Sequence, residues 1–378
     1  MQGALALVRR ACNDRGVASD AGGPDMALPA RLERHATVAS SLAALGDGEL
    51  AQLIDAAPAL GSGIGGTRSL LHVGAVPVFV KRVALTDLER RPGHVRSTAN
   101  LFELPTFCQY GLAPPAGLPA TGAWRELAAS EMTTSWVLAG RADCFPLLHH
   151  WRVLEHPPGS QPLPDELADI ERVVAFCHGS AAVRRRIEAI SAASATLTLF
   201  FEWLPEPLPA WLARQVVAGD AAAERAIAMV ERRLLVDVDQ MNAAGLYHFD
   251  AHLDNILTDG ERLYFTDLAL AMSPEFELSA SEARFLDANL THDRCHTIRC
   301  LVNWLVTAFT GVSDWQARNE IIDRVAAGEA LAGVAAAVIA RHAPVAAVIN
   351  DFYRQLHLVD RRTPYPAAAA RAAWAGIG

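Results

Sequence analysis

The chain has 378 residues, 51% of them hydrophobic and 20% charged, with a formal net charge of −9. This is the composition of an ordinary globular protein, long enough for two or three domains or for one fold of two lobes. The acidic balance argues against bulk attraction to nucleic acid or to an anionic membrane surface.

No run of about 18 apolar residues occurs, so no membrane span is expected. The apolar run at the N-terminus is too short for a secretory core. The cysteines, Cys12, Cys108, Cys144, Cys177, Cys295 and Cys300, form no C-x-x-C pair, which points to a reducing cytoplasm rather than a disulfide framework.

Residues 1–38 are polar and contain Gly and Pro, and loose order is expected there. Ser40 to Ala57 carries a helical pattern, with Asp47 as a cap and Leu50, Leu53 and Ile54 on one face. Two strands are predicted at Ser69–Val73 and Val76–Val83, turned at Gly74-Ala75. Before them stand Gly61, Gly63, Gly65 and Gly66. Such a cluster lets backbone N–H groups approach a phosphate with no Cβ in the way, although a plain hairpin loop reads the same. Lys81 lies inside V-F-V-K-R-V, and an ammonium among β-branched residues needs a partner, which a phosphate and a glutamate would supply.

A helix is predicted over Ala123–Leu138. It carries Glu126 and Glu131, either of which could pair with Lys81; Glu131 shares a face with Trp124, Leu127, Ala128 and Leu138. Further along come a strand at Leu147–Leu154, a Pro-rich loop from Pro157 to Pro164, and helical sequence from Asp165 to Ser191. A strand over Leu197–Trp203 is broken by Pro205–Pro209. A long helix, Ala221–Ala244, stops at Gly245. From Ser281 the pattern is helical to the end, the Ala-rich stretch Ala326–Ala340 included. Arg184-Arg185-Arg186 and Arg361-Arg362 read as solvated faces. Trp124, Trp136, Trp151 and Trp203 read as core, and the His292-Asp293-x-Cys295-His296 cluster as packing or capping. The sum is an α+β arrangement of two lobes. It comprises a flexible segment over 1–38, a β-rich N-lobe over 39–203 with a helical insert near 157–196, and a helical C-lobe over 204–378.

The stretch Tyr247–Met272 holds the densest chemistry. Asp259-Gly260 separates Ile256-Leu257-Thr258 from Leu263-Tyr264-Phe265, a strong hairpin signal. Asn255 precedes the first strand and Asp267 follows the second, so both should meet at the open end. An amide oxygen with a carboxylate suits Mg²⁺, which takes few protein ligands and completes its octahedron with phosphate and water. Asp250, five positions before Asn255, can stand beside them as a base.

Taken in order, these parts resemble the protein-kinase-like superfamily over about residues 60–310. The resemblance implies a Gly-rich loop at Gly61–Gly66, a phosphate-holding Lys81 paired with Glu126 or Glu131, and an adenine-binding hinge at Glu202 to Leu204. It further implies a catalytic loop with Asp250 as base and Asn255 and Asp267 as Mg²⁺ ligands. His252 two positions after Asp250 is similar to the aminoglycoside and choline phosphotransferase branch. The glycine run reads as G-x-G-x-G-G, the metal triplet is Asp267-Leu268-Ala269, and no A-P-E motif follows at normal spacing. The implied function is ATP- and Mg²⁺-dependent transfer of the γ-phosphoryl group to a hydroxyl, on a small molecule in preference to a protein. The alternative is a pseudokinase that binds nucleotide as a scaffold.

Overall fold

The computed structural model describes residues 26–111 and 117–376. The fold is α+β. Five antiparallel strands, β1 (Ala59–Gly63), β2 (Gly66–Val73), β3 (Val76–Leu85), β4 (Leu148–Glu155) and β5 (Ala195–Glu202), form one sheet in the order β1-β2-β3-β5-β4. The residues alternate as a pleat requires. Val78 and Val80 of β3 face one side, where they pack with Val38, Leu42, Leu50 and Ile54. Phe79 and Lys81 face the other side and line a cleft. The first side is covered by α1 (Leu28–Ala43) and α2 (Asp47–Ala56). Against the second side lies α3 (Ala123–Leu138), where Trp124 and Leu127 pack on Leu148, Leu197 and Leu199.

Between β4 and β5 the insert forms three helices, α4 (Asp165–Ala168), α5 (Ile170–Phe176) and α6 (Ala181–Ser191). Asp169 caps α5 through Arg172 N, and Ser180 caps α6 through Val183 N, so each polar cap breaks what reads as one helical run. After β5, a two-residue strand β6 (Glu206–Pro207) pairs with the hairpin β7 (Ile256–Thr258) and β8 (Leu263–Phe265). The rest is helical: α7 (Leu208–Val217), α8 (Asp220–Ala243), α9 (Ala280–Ala288), α10 (His292–Thr310), α11 (Trp315–Ala326), α12 (Ala336–Leu358) and α13 (Ala367–Ala375). Its main core joins Leu234 and Val238 of α8 to Ile298 and Leu305 of α10 and Ile339 of α12.

Several sequence expectations are corrected. Within the stretch expected to be loose, residues 28–38 belong to α1; residues 1–25 lie outside those described. The helix expected from Ser40 to Ala57 is two helices. Asp47 is the first residue of α2 and not its cap: Gly46 precedes it, and Asp47 accepts instead from Arg152 at 2.7 Å. Ala326–Ala340 is not continuous helix, because Gly328 and Gly333 take left-handed φ of 103° and 101° between α11 and α12. Neither arginine cluster is simply solvated. Arg186 is buried against Glu89, and Arg361 is buried over the Phe176 ring. The five cysteines among the described residues are free, and no described helix is long and apolar enough to cross a membrane.

What fixes α1 is an ion pair that no local pattern shows. Arg31 donates to Glu202 at the end of β5 at 2.7 Å and to the Phe145 carbonyl at 2.7 Å. Both side chains are almost wholly buried, at 1% and 4% exposure. Removing one partner of such a pair strands the other charge, at a cost of about 3–5 kcal/mol. Arg31→Met is therefore expected to lower the chemical-denaturation midpoint sharply, and Arg31→Met with Glu202→Gln to recover most of it. A single variant as stable as wild type would show that the pair contributes little.

Candidate active site

The site is built where β3, α3 and the β7–β8 hairpin converge. Asp259-Gly260 turns the hairpin as the sequence predicts, with Ile256 opposite Phe265 and Thr258 opposite Leu263. At its open end Thr266 N donates to the Asn255 carbonyl at 2.9 Å, so the closed ladder brings Asn255 and Asp267 to one wall of the cleft. Asp267 takes a left-handed conformation, φ 61° and ψ 68°. Phe249, next to Asp250, is also left-handed at φ 62°. Both are uncommon for residues with a side chain, and such strain persists where surrounding contacts over-determine the backbone.

Those contacts are visible. Asp293, at the start of α10, accepts from the backbone N–H of His248 at 2.6 Å and of Phe249 at 2.8 Å. His248 spans the loop, with Nε2 2.9 Å from the Thr266 carbonyl and Nδ1 accepting from Asp250 N at 3.3 Å. The Phe249 ring stacks on His292 at 5.0 Å. The histidines of the His292–His296 cluster are packed in the core, as their sequence setting suggests, while Asp293 ties down the loop before Asp250 and does not cap its helix.

Lys81 is 4% exposed. Its ammonium donates to Glu126 Oε1 at 2.5 Å and to Asp267 Oδ1 at 2.9 Å. Glu126 is thus the partner of Lys81. Glu131 is not; it accepts from Arg96 and from Trp151 Nε1 on the outer side of α3. The choice is set at the start of the helix, where Glu89 accepts from Ala123 N at 2.8 Å and its carbonyl from Trp124 Nε1 at 2.9 Å. Arg125, the next residue along, is buried and pairs with Glu282 of α9 at 3.0 Å.

Burial opposes charge most on Lys81 and Glu126, whose side chains are 5% and 3% exposed, and less on Asp267, which is 37% exposed. It would lower Lys81, but Asp267 and Glu126 raise it above its ordinary value. Burial would raise Asp267, but Lys81 holds it down at about 2. Burial pushes Glu126 up to about 7 against the pull of Lys81, with the Asp267 charge adding to the rise. Asp267 therefore contributes stability above pH 3.8 that is lost as the pH falls toward 2. For Glu126 the sign is opposite: its contribution is full below pH 4.5 and is lost as the pH rises through 7.

Asp250 lies beside this trio. Asn255 Nδ2 donates to its carbonyl at 3.0 Å and to its Oδ2 at 3.2 Å, and His252 Nε2 stands 4.0 Å from the same oxygen. Burial raises the Asp250 carboxyl, opposed by His252 and reinforced by Asp267. Its other oxygen is covered by Gly111: a Cβ on Gly111 would collide with Asp250 Oδ1. Gly111 belongs to the long β3–α3 connection, which is held in place by Gln109 donating to the Leu270 carbonyl at 2.7 Å and Tyr110 to Asn289 at 2.8 Å.

The glycine run forms the β1–β2 hairpin, with Gly63 opposite Gly66 and Ile64-Gly65 at the tip. It satisfies G-x-G-x-x-G after all, with Gly65 in a free position. Gly66 needs its residue type, since φ is 107° and a Cβ there would strike the Arg82 carbonyl. Gly65 faces the site: its Cβ position lies 3.1 Å from Lys81 Nζ and 3.3 Å from Asp267 Oδ2. Gly61 and Gly63 lie further back, close to Arg68.

Below the hairpin is a cleft of about 820 Å³, counting space open to solvent. Phe79, Phe201, Leu204 and Leu257 give it an apolar end, and Lys81, Asn255 and Asp267 a polar one. Trp203 lines it and is not core, contrary to the sequence reading. The Glu202 carboxylate is turned away into Arg31, so this edge cannot use that acid. Among the described residues, no hydrogen bond engages the backbone of Trp203 or Leu204. The residues fit a nucleotide with Mg²⁺: an ionised Asp267 and an amide oxygen at one end, free peptide groups and apolar walls at the other. Among the described residues no group of three or more His, Cys, Asp or Glu could hold a metal ion.

No family model and no curated protein matches the chain. Reading the sequence missed Arg31, Arg68, Glu89, Arg125 and Gly111. For Arg68 a signal existed, since it stands two residues after the glycine run in a strand whose alternation sets it across from Lys81. Glu126→Gln is expected to flatten the loss of thermal stability between pH 4.5 and 7 assigned to this carboxyl. An unchanged slope in pH-resolved melting would assign that loss to another group.

Proposed function

We propose that this protein is an ATP- and Mg²⁺-dependent phosphotransferase of two-lobed, protein-kinase-like construction, acting on the hydroxyl of a small molecule. The observation that carries this reading is the meeting of Lys81, Glu126 and Asp267 in one cleft beneath a glycine hairpin. These residues come from three distant parts of the chain, and structural packing alone gives no reason to bury so much charge at the rim of a cavity.

Each residue takes a role in this reading. Gly61, Gly63, Gly65 and Gly66 cover the phosphates, and Lys81, positioned by Glu126, binds them. The apolar end takes the adenine, with the peptide groups at Trp203 and Leu204 as its hydrogen-bonding edge. Asn255 and Asp267 would hold Mg²⁺, which supplies charge neutralisation to the phosphates when bound. Asp250 orients the acceptor hydroxyl and takes its proton as the acceptor oxygen bonds to the γ-phosphorus and the bond to the β–γ bridging oxygen breaks, leaving ADP.

Two observations support a small acceptor. Gly111 walls one Asp250 oxygen, and only the stretch from Leu268 to Ser279 separates Asp267 from α9, which leaves little chain to present a protein substrate. The scaffold alternative retains nucleotide binding without transfer, and turnover measurement separates the two.

In assays with Mg·ATP and candidate acceptors, Asp250→Asn is expected to lower turnover roughly 10²–10⁴-fold, and Asp267→Ala to abolish Mg²⁺-dependent turnover. Equal background from wild type and both variants would leave only the scaffold reading. Because Asp250 must be ionised to act and its carboxyl is raised above 3.8, the acid limb of the turnover profile is expected above pH 3.8 and to vanish in Asp250→Asn. Gly111→Ala, which crowds Asp250, is expected to lower turnover while Mg·ATP binding persists. Unchanged turnover would place the acceptor away from Gly111.

A further inference from the structure

We infer that Arg68 is a second nucleotide-binding cation, which engages the polyphosphate and gives the site its preference for nucleoside polyphosphates over nucleosides. The inference rests on the nucleotide reading of the cleft. It starts from register: Arg68 of β2 stands directly opposite Lys81 of β3, and Leu70 opposite Phe79. Directly opposed residues share a sheet face, and Arg68, Phe79 and Lys81 all line the cleft.

The two cations divide the underside of the hairpin between them. Arg68 Nη2 lies 3.8 Å from the Cβ positions of both Gly61 and Gly63, while Lys81 Nζ lies 3.1 Å from that of Gly65. The missing side chains make room for the guanidinium to lie along β1. A polyphosphate running beneath the hairpin would meet Lys81 at one end and Arg68 toward the other.

Charge gives the reason for a second cation. Lys81 is already offset by Asp267, and Glu126 adds negative charge as it ionises. Glu202 is neutralised by Arg31. Among the described residues, Arg68 is the one cation lining the cleft with no carboxylate partner. Asp254 also lines the cleft, so the carboxylates there outnumber Lys81, and Arg68 is the second cation the protein brings to a strongly anionic ligand. A guanidinium also offers a planar fork of donors suited to phosphate oxygens.

The competing role is packing, in which the apolar stem of Arg68 roofs the cleft and the charge is incidental. Arg68→Met keeps such a stem and removes the charge; Arg68→Lys keeps a charge without the fork. Calorimetric titration of wild type and both variants with Mg·ATP and with adenosine separates the roles, with melting temperature as the check on folding. Arg68→Met is expected to weaken Mg·ATP roughly tenfold to a hundredfold and to leave adenosine within about twofold, with Arg68→Lys recovering part of the loss. Equal Mg·ATP affinity in wild type and Arg68→Met overturns the inference, and so does an equal loss for both ligands. If wild type binds neither ligand, the nucleotide reading itself fails and the inference with it.

Discussion

The structure turns on keeping the Lys81 ammonium charged while nearly removing it from water. An isolated buried cation is costly, and the cost is met only by carboxylates at hydrogen-bonding distance. Glu126 and Asp267 meet it from opposite sides. That requirement fixes α3 against the sheet, fixes the end of the β7–β8 hairpin against β3, and gives the glycine hairpin a polar surface to cover. The carboxylates in turn depend on Lys81, since burial alone pushes both of them toward neutrality.

A second set of buried charges holds the first in place. Glu89 joins the β3–α3 connection, the start of α3 and Arg186 of the insert. Arg125 ties α3 to α9, and Asp293 ties α10 to the backbone before Asp250. Buried pairs of this kind add little net stability against apolar replacements, but each penalises any arrangement that separates it. They specify geometry, and they do so around the groups whose positions the chemistry would require.

Much of this was legible from sequence because it is local. The Asp259-Gly260 turn, the strand alternation around Lys81 and the helix over Ala123–Leu138 all rest on short-range patterns, and each is found where expected. What was illegible depends on distant partners. Glu126 and Glu131 are equivalent by composition; only the helix phase set by Glu89 and Trp124 separates them. Nothing near Arg31 announces Glu202, 171 residues away, so α1 reads as polar leader. Arg186 and Arg361 likewise look solvated until Glu89 and Phe176 are brought to them. The boundaries of α2 and α12 were missed for a simpler reason: helix-forming alanines outweighed the glycines that interrupt them.

The pairing of Glu202 with Arg31 has one further effect. With that carboxylate turned away, the cleft edge at Trp203 and Leu204 presents peptide groups and apolar side chains rather than a charge. Main-chain recognition is indifferent to residue identity. Substitution at either position alters the apolar lining but leaves the pattern of donor and acceptor intact. Two proteins could share it while having no residue there in common.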